Sequence, residues 1–466
     1  MDSGETMIAA VLLALTASAP VELIYSGDRL GKVEPCGCPK NPMGHVARQV
    51  AYIDGHRARG VQALYFDLGN FFFEELSPPQ ELREQAARRA AVLSRSLARM
   101  KLDFLVPGPM DFGAGFEGYK RLVAPSGTPV LAADLMTSSG AHAFETHRVF
   151  ERGGKRILVV GIAGFVPATT DFVRRAPSDA LARVRQQVGP VDLTIVASHL
   201  DRSGGLALAG TASGLAAVLI ADGHLHLIPK QAGGAVVVGS SKQGKHLAQL
   251  TLNHRGEGGF SGGMPMRRLE MKAKRATGDE AAALTQELEA MKAGNTFSYR
   301  VEALGEEKPE DKEVAQWVKA YVHFVGQFEA ARGLAPPGYD GKGDFVGTEV
   351  CATCHGGAAA QWRTTAHAHA YESLVQRGQQ LDRECIECHT AGWRHPGGFS
   401  DPRAVGILKN VQCESCHGPG KAHAASGDKM LIERGEANAR FCQRCHQEEL
   451  ETGFTEETHI PRIKHW

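Results

Sequence analysis

Four copies of one pentapeptide constrain this chain more than any other feature. Cys-x-x-Cys-His stands at Cys351, Cys354 and His355, at Cys385, Cys388 and His389, at Cys413, Cys416 and His417, and at Cys442, Cys445 and His446. These copies take eight of the ten cysteines. Two thiols three residues apart can each add to one vinyl group of a haem while the adjacent imidazole reaches the iron, so the spacing has a covalent logic. Zinc knuckles are the alternative for paired Cys-x-x-Cys, but a zinc ribbon has no need of a His directly after each second Cys. The pattern predicts four covalently attached haem c groups, and the rest of the chain has to be read around them.

The sixth ligands follow from a count. Residues 346–466 hold ten of the twenty histidines, four of them proximal, and Met430 is the only methionine there. Imidazole is therefore the expected sixth ligand, giving bis-His irons of lower potential than Met/His cytochromes. The spare histidines are His367, His369, His395, His423, His459 and His465. With four macrocycles in so short a segment, haem supplies the core and the apoprotein is not expected to fold. Compactness alone places the macrocycles close enough for electrons to pass between them.

The chain has 466 residues, enough for two to three domains. Lys+Arg and Asp+Glu are 52 each, a balance that gives no reason to expect a nucleic-acid partner. Haem propionates add negative charge near the C-terminus, which favours redox partner proteins with a basic docking face. Met7 to Ala19 is an apolar run closing in Ala17-Ser18-Ala19, the pattern of a cleaved leader, although Asp2 and Glu5 stand where a basic segment is usual. A buried first strand is the alternative. A leader agrees with haem attachment, which needs thiols handled in an exported compartment. The expected location is periplasmic or extracellular. No later stretch is long and apolar enough for a transmembrane helix.

Upstream of the pentapeptides, short apolar strands alternate with helical stretches, the pattern of an α/β sandwich. Strands are expected at Leu23 to Tyr25, Ala63 to Phe66, Phe104 to Val106, Val130 to Ala132, Ile157 to Ile162, Leu193 to Ala197, Ala217 to Ile220 and Val236 to Val238. A helix is expected over Pro79 to Met100 with Ser77 as its cap. In such sheets the strand ends carry the sites. Read in order, those ends resemble the dimetal phosphoesterases of the 5'-nucleotidase and UDP-sugar hydrolase family. The matching stretches are Tyr25-Ser26-Gly27-Asp28, Phe66-Asp67-Leu68-Gly69-Asn70, Gly108-Pro109-Met110-Asp111-Phe112, Ser198-His199, Gly223-His224-Leu225-His226 and Gly244-Lys245-His246-Leu247. The resemblance implies a metallophosphoesterase-like αββα sandwich.

The departures decide what this half can do. The family's His two residues after the first Asp is Leu30 here. Its bridging Asp is Asn70, a neutral group and a poor clamp for two cations. Its Asn-His pair is Pro109 and Met110, neither of which can donate a proton to a leaving group. Hydrolysis by the two-metal route is not expected. Asp28, His199, His224 and His226 survive as candidate metal ligands, and Cys36 and Cys38 are inserted near the first of them. Thiolate with imidazole suits one zinc, copper or iron ion better than manganese or magnesium. A strained Cys36–Cys38 redox disulfide and purely structural side chains are the competing readings.

The glycine-rich stretch Asn253 to Pro265 marks a boundary, followed by helices at Gly278 to Ala293 and Pro309 to Ala331, the second with an apolar stripe expected to pack on one of the domains. The expected organisation is a leader over 1–19, a phosphoesterase-like domain over 20–265, a helical linker over 266–344 and a mainly helical haem domain over 345–466. The haem domain resembles the tetrahaem cytochromes that take electrons from hydroxylamine oxidation. The stretches that carry this are Trp362, Thr365, Ala366 and His367 after the first pentapeptide, and Val411 to Gly420 followed by His423. The resemblance implies His367 and His423 as distal ligands, with His459 and His465 next and His369 and His395 behind. In that family one iron can be left five-coordinate. The expected function is electron transfer, against an oxidoreductase with a catalytic metal or open haem, and against a metallophosphatase carrying a cytochrome.

Overall fold

The computed structural model describes residues 19–36, 42–165, 172–221, 228–332, 343–400, 407–432, 442–446 and 454–465. The candidate leader up to residue 18 lies outside them, as do Cys38, His224, His226 and the side chain of Cys36.

The first half is an αββα sandwich. One six-stranded sheet runs in the order Ser261–Gly262, Thr296–Ala303, His246–Asn253, Val21–Ser26, Leu64–Asp67, Phe104–Leu105. The other runs Lys230–Ala232, Ala235–Val238, Ala217–Leu219, Leu193–Ser198, Lys155–Ile162, His147–Arg152. The central strands are apolar on both sides because both faces are covered. Leu23 and Tyr25 point between the sheets with Phe66, Phe104, Val159, Ile195 and Val238. Ile24, Tyr65 and Leu105 point the other way, under helices Val46–Ala58, Arg83–Met100 and Lys312–Arg332. Helices Pro177–Val188 and Arg202–Thr211 cover the second sheet.

Three details differ from the sequence expectation. Val130 and Leu131 make isolated bridges and no strand. The helix expected from residue 79 begins as a short 3₁₀ turn, Gln80–Leu82, and becomes α-helical at Arg83–Met100. Pro79 is extended there, and Ser77 does not cap it. Thr296–Ala303, which carries no helical pattern, pairs antiparallel with His246–Asn253 along eight residues and so extends the first sheet. The stripe Val314, Val318, Tyr321 and Val325 of Lys312–Arg332 packs into the core beneath that sheet.

The C-terminal region is built from short helices: Thr348–Ala352, Gly356–Arg363, Ala370–Arg377, Arg383–His389, Cys413–His417, Lys421–Ser426 and Glu456–Ile463. Its apolar core among the described residues is small, with Tyr371, Leu374, Ile386, Ala391, Trp393, Phe399 and Leu408 buried. Among the described residues no helix is long and apolar enough to cross a membrane.

The two halves meet along helices Arg83–Met100 and Arg383–His389. Gln85 donates to Asp382 at 2.8 Å and Arg89 pairs with Glu384 at 2.5 Å. Gln379 donates to Glu34 at 2.7 Å, Arg383 pairs with Glu329 at 2.5 Å, and Arg394 reaches Glu81 at 3.3 Å.

Candidate functional site

The strand ends of the first half assemble around Asn70. Val21–Ser26 and Leu64–Asp67 run parallel, so the loops after them lie side by side and bring Asp28 to Asn70. Asp28, Leu30 and Asn70 all hold left-handed φ, near 48°, 53° and 53°, which non-glycine residues keep only where the surroundings enforce it. The enforcing contacts are visible. Asp111 accepts the backbone N–H groups of Asn70, Phe71, Phe72 and Gly108, and burial pushes its carboxyl up to about 7 against the opposing pull of the Gly108, Phe72 and Phe71 donors. Asp67 accepts from Ser26 at 2.6 Å and from Gly69 N–H at 2.8 Å, and burial raises it to about 6. Both aspartates hold loops in place.

The side chain of Asn70 has a single satisfied orientation. Its carbonyl oxygen accepts the Met110 N–H at 2.8 Å, so its amide points at the candidate ligands. One amide hydrogen goes to Asp28 Oδ1 at 2.8 Å and the other to His199 Nε2 at 3.1 Å. His199 donates its Nδ1–H to the Leu68 carbonyl at 2.7 Å, which leaves Nε2 as the acceptor. Asp28 and His199, 3.9 Å apart, are thus bridged by two amide protons. A cation would have to displace those protons. Arg29, fully buried, donates to Lys32 O and Gln49, and burial lowers its pKa to about 10. Among the described residues no group of three His, Cys, Asp or Glu side chains could hold a metal ion. The remaining candidate donors, Cys36, Cys38, His224 and His226, fall on parts outside the described residues. Asn70 was not legible as the hub of this site, because its partner His199 is distant in sequence.

The pentapeptide histidines form a second group. His355 faces His423 with ring centres 6.1 Å apart, His446 faces His367 at 5.8 Å, and His417 faces His465 at 6.1 Å. An iron about 2 Å from each of two imidazole nitrogens, with each ring centre roughly 1 Å behind its nitrogen, needs ring centres about 6 Å apart. The donor set therefore fits bis-His haem. His423 donates Nδ1–H to the Asp428 carbonyl at 3.0 Å and His465 to that of Ile463 at 2.9 Å, which makes Nε2 the nitrogen that could ligate. His389 does the same to Ala370 at 2.6 Å. His459 packs beside Phe454, which also stacks on His446. His369 lies 3.7 Å from Glu372, and His395 tilts against Phe345.

The thiols bring the motifs together in pairs. A shared hydrogen bond holds the Cys351 thiol up and takes Cys413 down to about 6. Cys388 and Cys445 share another, holding Cys388 up. Burial first and then Cys442 push Cys416 up to about 11. Haems attached at such neighbouring thiols would lie close to one another.

Comparison with known proteins finds relatives for each half. Residues 350–418 match the family model of cytochrome c554 and c-prime, and residues 406–451 match that of the doubled CXXCH motif. The C-terminal region is a multihaem c-type cytochrome. A curated relative, cytochrome c-554 of Nitrosomonas europaea, is 35% identical over an alignment covering 22% of this chain and 55% of its own. The chain thus spans about half of that relative. A 5'-nucleotidase precursor of Thermus thermophilus is similar in structure with a TM-score of 0.50 at 18% identity, over 68% of this chain and 61% of that one. A Staphylococcus aureus protein assigned as a 5'-nucleotidase, in complex with alpha-ketoglutarate, reaches 0.51 at 13% identity, over 84% and 71%. At those identities the likeness carries the fold alone, which is that of the metallophosphoesterases. The cytochrome region follows this fold in one chain.

Proposed function

We propose that the chain is a tetrahaem electron-transfer protein of an exported compartment, with a phosphoesterase-like half that has lost hydrolysis and serves the cytochrome region as a docking module for a redox partner. The cytochrome region begins near residue 345. The observation that carries the reading is the set of three proximal imidazoles, each facing a second imidazole about 6 Å away. Haem, when bound, supplies reversible one-electron chemistry at iron. The protein's part is to hold the imidazoles: backbone carbonyls of Asp428, Ile463 and Ala370 take the outer N–H of His423, His465 and His389 and fix which nitrogen can ligate. Loss of hydrolysis is supported by Asn70, whose amide protons stand between Asp28 and His199 where a bridging anion would be needed.

An oxidoreductase is the second reading, and one placement favours it. His459, the fourth expected distal ligand, packs beside Phe454, which stacks on His446, the proximal imidazole of the fourth motif. An open iron at the second motif would bind small ligands.

His423→Ala tests the leading reading. The variant keeps its haem count, because the thioethers are untouched, and converts one low-spin haem to high-spin in the EPR spectrum. An unchanged spectrum would remove His423 as the partner of His355.

A further inference from the structure

We infer that the second haem is the redox terminal facing the first half, and that Arg89 reaches across the junction to set its potential. The inference rests on the reading of four attached haems and goes beyond it by assigning one of them to the phosphoesterase-like half.

The thiol neighbours give the macrocycles a spatial order. Cys388 of the second motif shares a hydrogen bond with Cys445 of the fourth and reaches the Arg444 carbonyl at 3.9 Å, Cys413 of the third shares one with Cys351 of the first, whose helices Cys413–His417 and Thr348–Ala352 are in contact, and Cys416 of the third is within electrostatic reach of Cys442 and Cys445 of the fourth. Haems held by these motifs would stand in the order second, fourth, third, first, with the second at one end. The helix that carries it, Arg383–His389, is also the element through which the first half grips the cytochrome region. Asp382, Arg383 and Glu384 are held by Gln85, Glu329 and Arg89 respectively.

Arg89 links that grip to the candidate site. Gly31, at φ +70°, lies three residues beyond Asp28. A Cβ there would stand 3.3 Å from Arg89 Nε and 3.0 Å from the Phe72 carbonyl, so the Asp28 loop packs directly on the arginine. On its other side the guanidinium meets Glu384, the residue before Cys385. Arg89 and Glu384 are 7% and 22% exposed, so their charges are screened far less than surface charges. A cation beside a haem favours the reduced iron and raises the potential, and an anion lowers it. Arg89 is thus a positioning residue with an electrostatic role, supplied by one half to the haem of the other.

The test uses the full-length holoprotein and a potentiometric titration followed haem by haem in visible and EPR spectra. Arg89→Gln should move one midpoint down and leave the other three in place. Glu384→Gln should move the same midpoint up, and Arg89→Lys, which keeps the charge, should hold it near its original value. A merely structural role would move both glutamine variants in one direction. The shifting midpoint is assigned with Cys385→Ala/Cys388→Ala, which removes it, or with His389→Met, which keeps the haem and changes its ligand. If the double cysteine variant loses no haem, the underlying four-haem reading fails. If haem is lost but the glutamine variants move all midpoints together, move none, or move them in the same direction, the role of Arg89 is overturned.

Discussion

Produced in a host that cannot attach haem, the chain is expected to keep its first half folded and to lose protection in the described C-terminal helices. The first half has three apolar clusters of its own, between and outside its two sheets. Among its described residues the cytochrome region has one small cluster around Tyr371, Ile386, Trp393 and Phe399, beneath helices of five to eight residues. Helices that short are not stable without tertiary packing, and here most of that packing has to come from the macrocycles. Hydrogen exchange on the haem-free chain should give near-complete exchange across the C-terminal helices while strands such as Val21–Ser26 and Lys155–Ile162 stay protected. Protection of Arg383–His389 and Cys413–His417 in the haem-free chain would show that protein contacts alone hold them.

Asn70→Asp should have the largest effect in the first half. The substitution replaces an amide that donates to Asp28 and His199 with a carboxylate that repels the first and donates to neither. With Asp28 and Asn70 only 7% and 6% exposed, the loss is about 1–3 kcal/mol, a drop of several degrees in a body of this size. Manganese should recover the stability, because two carboxylates and His199 Nε2 then form a ligand set. The unsubstituted chain should show neither manganese stabilisation nor phosphatase turnover with manganese. Turnover there would restore the hydrolase reading despite Pro109 and Met110.

How much of this was legible in sequence depends on how local each requirement is. The four pentapeptides were legible because covalent attachment confines both thiols and the proximal imidazole to five consecutive residues. His423 lies six residues after His417, yet its ring faces His355, a pairing that no spacing rule gives. The sandwich was legible from strands apolar on both faces, such as Leu193–Ser198. Thr296–Ala303 leaves only a weak trace in sequence, because the alternation of Phe297, Tyr299 and Val301 is short, only Phe297 of the three is fully buried, and longer helical patterns stand on either side. Asn70 stood out in sequence as a neutral residue where the resemblance expects a bridging carboxylate. What it does instead, donating to two groups at once, depends on His199 being brought up by another sheet. The junction of Arg89 with Glu384 joins residues nearly three hundred positions apart and leaves no local trace.

The central claim is that this chain is a wire of four haems with mainly bis-imidazole ligation. Iron and haem stoichiometry on the mature protein, taken with an EPR spectrum of the oxidised state, tests it directly. The account predicts four irons per chain, all recovered as covalently attached haem, with low-spin bis-imidazole signals from the first, third and fourth. Fewer than four haems, zinc in place of iron at any pentapeptide, or high-spin signals from those three sites would contradict it.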